Sequence, residues 1–223
     1  KVDTFSPFIG DQGWFFMSAK DFVVNHQIPL VGITSSHLWL HQGPLWTYIV
    51  SVLFLLFNFN PVSPFYFTSI MDAFTILLVY KICKEFFSYK TAIFASIIYA
   101  LSPYAVLSSR MAYHTALIPF FIALVFYSIV KWINGDKKHF PLVILYLSIL
   151  YNFELQTSVL IVLFLLTLIF GFLKKKTWYI SILNFKTLML SVLAFLIPML
   201  PILIYDFKNG FPQTIVFAGW VAY

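Results

Sequence analysis

Asp11 lies in a glycine-flanked polar segment, residues 8–14 (FIGDQGW), directly before an amphipathic stretch. An aspartate here can cap a helix, since its side chain accepts backbone N–H groups of the first turn. A carboxylate at a membrane surface can also take a proton from an attacking hydroxyl. The two roles are compatible, so Asp11 is a candidate general base.

Two histidines, His37 and His41, follow in residues 36–44 (SHLWLHQGP). On a helix, a spacing of four residues would suit a pair of metal ligands. The polar residues before this pair and Pro44 after it argue against a continuous helix, so ligation by both is the weaker interpretation. His41, directly before the Gly-Pro step into the next apolar stretch, is the better single candidate.

Arg110 and His114 are four residues apart in residues 108–114 (SSRMAYH). They share a face if that segment is helical. A guanidinium can bind phosphate through two parallel N–H bonds, at the level where a lipid headgroup lies. The alternative is an arginine that snorkels from a helix end to the surface. The sequence favours neither interpretation.

Three further acids lie within or between apolar runs. Charged side chains are costly inside a membrane, so Asp72 and Glu154 are candidates for function. Asp72 could equally bond a neighbouring helix. Glu154 belongs to a polar break, residues 152–157 (NFELQT), that could face the same cavity as the other candidates. Asp206 is predicted to form a turn.

The composition argues against a soluble globule. Hydrophobic residues make up 61% of the chain and charged residues 10%, against about 45–50% and about 25% in soluble domains. The 14 Lys and Arg outnumber the 8 Asp and Glu. Most of these cations lie in short clusters between apolar runs, as in membrane loops, which argues against nucleic acid as a partner. Cys83 is the single cysteine, so no intrachain disulfide can form.

Apolar runs predict membrane-spanning helices, each of which needs about 20 residues. Runs that qualify, or nearly so, are 65–82, 91–107, 116–133 and 187–205. The run 141–173 would reach roughly 50 Å as one helix, at about 1.5 Å per residue, and its polar middle divides it into two short helices. The predicted fold class is an all-α, polytopic transmembrane bundle.

Three lysine clusters predict the orientation, because positive residues concentrate in cytoplasmic loops. They lie within 81–90, 131–138 and 174–186. The opposite, extracytoplasmic face then carries the polar segments 108–115, 152–157 and 206–213.

The first apolar stretch, 43–58, is short, about 22 Å as a helix. A full crossing would place residues 1–42 in the cytoplasm, away from Arg110, or else the orientation predicted from the lysine clusters is wrong. We therefore predict a re-entrant or partial span, which keeps Asp11 on the same side as Arg110.

Residues 13–25 have an apolar and a polar helical face, as expected for a helix in the plane of the membrane interface. Phe15, Ala19, Phe22 and Val23 form the apolar face. We predict three parts: an outer loop with this interfacial helix (1–42), a transmembrane helical module (43–205), and the start of a further outer loop or helix (206–223). The chain begins at a lysine and ends just after a turn, so we expect a fragment.

The order of these motifs resembles the GT-C membrane glycosyltransferases, specifically the branch of dolichyl-phosphate-mannose protein mannosyltransferases and bacterial aminoarabinose transferases. The resemblance covers nearly the whole chain and rests on 10–13 (GDQG), 41–45 (HQGPL) and 101–103 (LSP), the last leading to Ser109, Arg110 and His114. This chain departs from the family pattern at Gln12, where a second acid is usual, at Gly43-Pro44, where a Pro-Pro pair is usual, and at His114, where some relatives carry an acid.

The resemblance implies that a sugar is transferred from a polyprenyl-phosphate carrier to an acceptor glycan, lipid or protein. The transfer would proceed with inversion on the extracytoplasmic face of a bacterial or archaeal plasma membrane. The resemblance assigns Asp11 as general base and Arg110 as donor-phosphate contact. His41, His114 and Glu154 are further substrate-binding candidates because of their own positions in the sequence. It leaves a divalent metal open, with Asp11 and His41 as candidate ligands.

The rival class is a membrane transporter or lipid flippase. Such proteins show internal repeats and broken helices near the bilayer midplane. This sequence shows no repeat, and its polar groups are predicted to gather on one face.

Overall fold

The computed structural model describes residues 8, 10–35, 37–180 and 184–222, and its regular structure is helical. The predicted all-α bundle is confirmed. In chain order the α-helices are α1 (Gly10–Asn25), α2 (Leu45–Leu56), α3 (Ser63–Phe86), α4 (Tyr89–Ala100), α5 (Pro103–Ser108), α6 (Ile118–Ile133), α7 (His139–Phe153), α8 (Val159–Leu173), α9 (Thr177–Ile180), α10 (Phe185–Asn209) and α11 (Phe217–Ala222).

Helical segments long and apolar enough to cross a membrane include the predicted spans 65–82, 116–133 and 187–205. In the described residues these segments are Ser63–Phe86, His114–Ile133, Leu155–Leu173 and Phe185–Asn209. The predicted division of 141–173 is also confirmed, because α7 ends at Phe153 and Glu154 adopts an extended backbone. A short 3-10 turn, Leu155–Ser158, then leads into α8.

The predicted single span 91–107 is wrong, because the helix breaks after Ala100 and restarts at Pro103. Proline disfavours helical geometry in the residue before it, and Ser102 has an extended backbone there. The Ser102 hydroxyl accepts the backbone N–H of Ala105 and so caps α5. At about 1.5 Å per residue, α4 alone is only about 18 Å long.

The first helix forms as predicted, but protein covers the face that the sequence assigned to the membrane interface. Phe15, Phe16 and Ala19 are buried, and Phe16 packs edge-on against Phe54 of α2. The interfacial position of α1 remains a prediction. Of the predicted outer loop 1–42, residues 1–7, 9 and 36 lie outside the described residues.

The predicted partial span 43–58 contains the short helix α2. With 12 residues, α2 reaches about 18 Å, so a partial span stays a prediction. The segment 206–223 begins inside α10. That helix ends at Asn209, and the next residue, Gly210, has a left-handed backbone conformation. It continues through a π-helical turn, Pro212–Val216, into α11, and its last residue is outside the described part.

One aromatic and aliphatic core joins the elements that carry the candidate residues. Phe15 of α1, Trp46 of α2, Leu117 before α6 and Phe153 at the end of α7 are each 1% exposed and belong to one cluster. This core brings the start of α1 and the end of α7 to the same end of the bundle. That end is where Asp11 and Glu154 lie.

Candidate active site

Asp11, in the first turn of α1, is bound by a tyrosine far along the chain. The Tyr113 hydroxyl donates a hydrogen bond of 3.0 Å to Asp11 Oδ2. Burial raises the pKa of Tyr113, and the hydrogen bond and negative charge of Asp11 raise it further. The phenol therefore keeps its proton at neutral pH and acts as a donor to the carboxylate.

His114 lies beside this pair and is almost completely buried, with 1% exposure. Its ring packs against Tyr113 at 4.0 Å and Phe15 at 5.3 Å between centroids. Its Nε2 lies 3.7 Å from Glu154 Oε2, which is longer than a hydrogen bond. A small movement would bring the two groups into direct contact.

Glu154 connects His114 to the loop before α2. Gln42 Nε2 donates to Glu154 Oε2 over 3.2 Å, and the glutamate side chain remains 26% exposed. Asp11, Gln42, Tyr113, His114 and Glu154 thus form one continuous group, which we call the polar cluster. It joins α1, the loop before α2, the segment before α6 and the end of α7.

Gly43 allows the loop carrying Gln42 to approach α7 closely. Its N–H donates to the Asn152 carbonyl over 2.9 Å. A Cβ on Gly43 would lie 1.9 Å from Asn152 Oδ1, and one on Gly32 would lie 2.5 Å from the Gly43 carbonyl oxygen. Only glycine fits at such separations, so these two residues fix where Gln42 meets Glu154.

His41 is held by α10 and the turn after it. The backbone N–H of His41 donates to Gln213 Oε1 over 3.2 Å, and its ring Nε2 is 3.3 Å from the Tyr205 hydroxyl. Burial lowers the pKa of His41, and a hydrogen bond with the backbone of Gly32 partly offsets this. A neutral imidazole can accept the tyrosine hydroxyl, so His41 is anchored beside the polar cluster.

The histidine spacing does not produce a metal pair on a helix. Thr34 and His41 form an isolated antiparallel bridge, and the His37 ring stacks on Trp39. Within the described ranges, no group of three or more His, Cys, Asp or Glu side chains is placed to hold a metal ion.

Arg110 is exposed and does not share a helical face with His114, because α5 ends at Ser108 and Tyr113 has an extended backbone. In the described part of the chain its side chain makes no hydrogen bond or ion pair. The Ser109 carbonyl, immediately before it, accepts the hydroxyls of Thr68 and Ser69 at 3.2 and 2.8 Å. Three residues span at most about 11 Å, so Arg110 stays near Tyr113.

The two remaining acids have structural partners. Asp72 accepts the Tyr99 hydroxyl over 2.7 Å and so joins α3 to α4. Asp206, 2% exposed, accepts the backbone N–H of Gln213 over 2.7 Å and the Thr214 hydroxyl. The prediction that Asp206 forms a turn is wrong, because Asp206 lies inside α10 and its side chain instead holds the turn that follows that helix.

Sequence reasoning missed three polar residues that connect the candidates: Gln42, Tyr113 and Gln213. Gln213 also donates through Nε2 to the Trp39 carbonyl over 3.0 Å, so one amide binds the backbone on both sides of Leu40. Two of the three could have been noticed, because Gln42 and Tyr113 each adjoin a candidate histidine. Gln213 gave no comparable signal.

Comparison with known proteins supplies one match. A sequence model of the family described as dolichyl-phosphate-mannose-protein mannosyltransferase matches residues 41–205. No curated protein and no solved structure matches the chain.

Proposed function

This chain belongs to the dolichyl-phosphate-mannose-protein mannosyltransferase family, and on that premise we propose that it transfers a sugar from a polyprenyl-phosphate carrier to an acceptor, with inversion. Membership makes it a membrane glycosyltransferase of the GT-C type. The observation that carries the proposal is the Asp11 carboxylate, held by Tyr113 within a cluster that also contains Glu154.

Asp11 is the proposed general base. Tyr113 occupies Oδ2, and in the described residues no hydrogen bond reaches Oδ1, which leaves that oxygen for an acceptor hydroxyl. The carboxylate takes the hydroxyl proton while the acceptor oxygen attacks the anomeric carbon. The bond from that carbon to the phosphate oxygen breaks, and attack from the opposite face inverts the anomeric centre.

Arg110 is the proposed contact for the leaving group. The departing polyprenyl phosphate gains negative charge in the transition state, and a nearby guanidinium stabilises that charge. The exposed side chain of Arg110, close to Tyr113 along the chain, is suited to this role.

Glu154 and the two histidines are proposed to bind the substrates. Glu154 retains acceptor capacity beyond its contact with Gln42, so it can bind a sugar hydroxyl. His114, whose ring nitrogens are buried beside Glu154, would take part in substrate binding through that glutamate, and His41 would line the adjoining side. A divalent metal at Asp11 and His41 stays a prediction, to which the described residues add no third His, Cys, Asp or Glu ligand.

The location of the polar cluster supports an extracytoplasmic reaction. His114 and Lys131 belong to one continuous span, and 17 residues of helix place them about 25 Å apart. The polar cluster and the lysine-rich loops therefore lie at opposite ends of the bundle, and positive loops favour the cytoplasm. We propose that 1–42 and 206–223 flank the 43–205 module on the outer side of a bacterial or archaeal plasma membrane.

Asp11→Asn in the full-length protein tests the proposed base. Asp11 lies inside the first turn of α1, and asparagine there keeps the shape and an oxygen that can accept the Tyr113 hydroxyl. Asparagine cannot take the proton, and loss of a general base costs about 10²- to 10⁴-fold in rate. Transfer would be measured with dolichyl-phosphate mannose first, and then with other polyprenyl-phosphate hexoses and aminoarabinose. Asp21→Asn on the same helix is the matched control, because among the described residues the Asp21 carboxylate hydrogen-bonds only to Asn25, one helical turn away.

Near-normal transfer by folded Asp11→Asn would rule out Asp11 as the base. If the wild type transfers no sugar from any of these donors but moves a lipid or solute across liposomes, the transferase proposal itself is wrong.

A further inference from the structure

A cavity lies at the lysine-rich end of the bundle, far from the polar cluster. It has a volume of about 450 Å³ and is lined by Tyr80, Lys81, Lys84 and Glu85 of α3 and by Tyr127 of α6. None of these residues takes part in the proposed transfer reaction.

The charges in this cavity do not balance. Its one carboxylate, Glu85, is paired with Lys131, whose ammonium also lies 5.6 Å from the Tyr127 ring centre. Lys84 lies 5.9 Å from the Tyr80 ring centre. In the described chain, neither Lys81 nor Lys84 has a carboxylate within ion-pair distance, so these two lysines leave two positive charges without a partner in the cavity.

An apolar groove continues from the cavity along the membrane-facing surface. Tyr80 lines both. The groove has a volume of about 220 Å³ and runs between α3 and α4, lined by Ile76, Leu77, Ile93, Ser96, Ile97 and Ala100. The α3 residues of the groove precede Lys81 by one to two helical turns, so the groove leads away from the charged end.

This combination points to an amphipathic anion. Lysines within two turns of the end of a span lie at the level of lipid headgroups, and basic pockets at helix ends on the cytoplasmic side bind anionic headgroups. A free phosphate would use the cavity alone, and an acidic protein segment would have no use for a groove that faces lipid. We infer that this site binds an anionic glycerophospholipid, with its phosphate at Lys81 and Lys84 and an acyl chain along the groove between α3 and α4.

The inference can be tested with the full-length protein in neutral detergent. Binding of phosphatidylglycerol and phosphatidylcholine is compared by native mass spectrometry for wild type and Lys81→Gln/Lys84→Gln. Each lysine near an anionic lipid headgroup adds favourable binding free energy. Loss of both lysines should therefore weaken phosphatidylglycerol binding on the order of 30-fold. Lys174→Gln/Lys175→Gln is the matched control, with two lysines that lie at the same end but outside the cavity.

The expected result is a preference for phosphatidylglycerol that is lost in the cavity variant and kept in the control. Equal retention of both lipids by wild type would overturn the site, as would an unchanged preference in the cavity variant. Inorganic phosphate is the headgroup-only probe, and full competition by it would overturn the role of the groove. Tighter binding of a polyprenyl phosphate with the same lysine dependence would assign the site to the carrier instead of a phospholipid.

Discussion

Replacing Gly43 by alanine should displace the loop that carries Gln42. The new Cβ would lie 1.9 Å from Asn152 Oδ1, 2.4 Å from its Cγ and 2.8 Å from its Cβ. The loop cannot simply move to the other side, because the Gly43 carbonyl oxygen already lies against Gly32. Either Asn152 must leave its hydrogen bond to the Pro198 carbonyl, or the Gly43 backbone must lose its bond to α7.

The expected cost follows from overpacking. One methyl group too many in a packed region costs about 1–3 kcal/mol. For a chain of this size, each kcal/mol lowers the unfolding midpoint by about 2–4 °C, so we expect a loss of about 2–12 °C. Sugar transfer should also fall, because the contact between Gln42 and Glu154 depends on the same loop.

The assay is thermal unfolding of the detergent-solubilised protein, followed by tryptophan fluorescence, for Gly43→Ala, Asn152→Ala and the double variant. Asn152→Ala removes two of the three clashing atoms, so the double variant should lose less stability than the sum of the single variants. Gly219→Ala is the control, since a Cβ there meets nothing within 4 Å among the described residues, apart from its chain neighbours and its own helix. A midpoint for Gly43→Ala at or above that of Gly219→Ala, or strict additivity of the two changes, would refute the proposed packing.

Three further outcomes are expected. Arg110→Lys should retain part of the donor affinity and Arg110→Ala very little, because lysine keeps the charge but lacks the bidentate fork. Equal donor affinity of wild type and both variants in a titration would show that Arg110 is only a surface anchor. Tyr113→Phe should lower kcat about tenfold or more with little change in donor KM, since a hydrogen bond to a charged group such as Asp11 contributes about 1.5–3 kcal/mol; an effect confined to KM would contradict this role. In a cysteine-free background, a cysteine at Asn209 should react with an impermeant external reagent and one at Lys175 should not, and the reverse pattern would overturn the orientation.

The helices could be predicted from the sequence because they depend on local properties. Long apolar runs must satisfy their backbone hydrogen bonds internally, which requires helix. The break between α7 and α8 was also predictable locally, because the polar residues around Glu154 interrupt a run that is too long for one span. The wrong span, 91–107, shows the limit of counting apolar residues, since Ser102 and Pro103 redirect the chain within a run that is apolar on both sides of them.

The sequence also identified several of the clustered residues but not their partners. Glu154 and His114 stood out because acids and histidines are unusual beside apolar runs, and Asp11 stood out in a glycine-flanked polar segment before an amphipathic stretch. Tyr113 did not stand out, because a tyrosine beside a membrane span is ordinary.

Only the tertiary structure decided which of these groups meet. Tyr113 reaches back 102 residues to Asp11, Gln42 reaches forward 112 residues to Glu154, and the His41 backbone binds Gln213 across 172 residues. Local propensity carries no information at such separations. These contacts depend on how α1, α2, α7 and α10 pack, and that packing depends on side-chain volume, as the close approach of Gly43 to Asn152 shows.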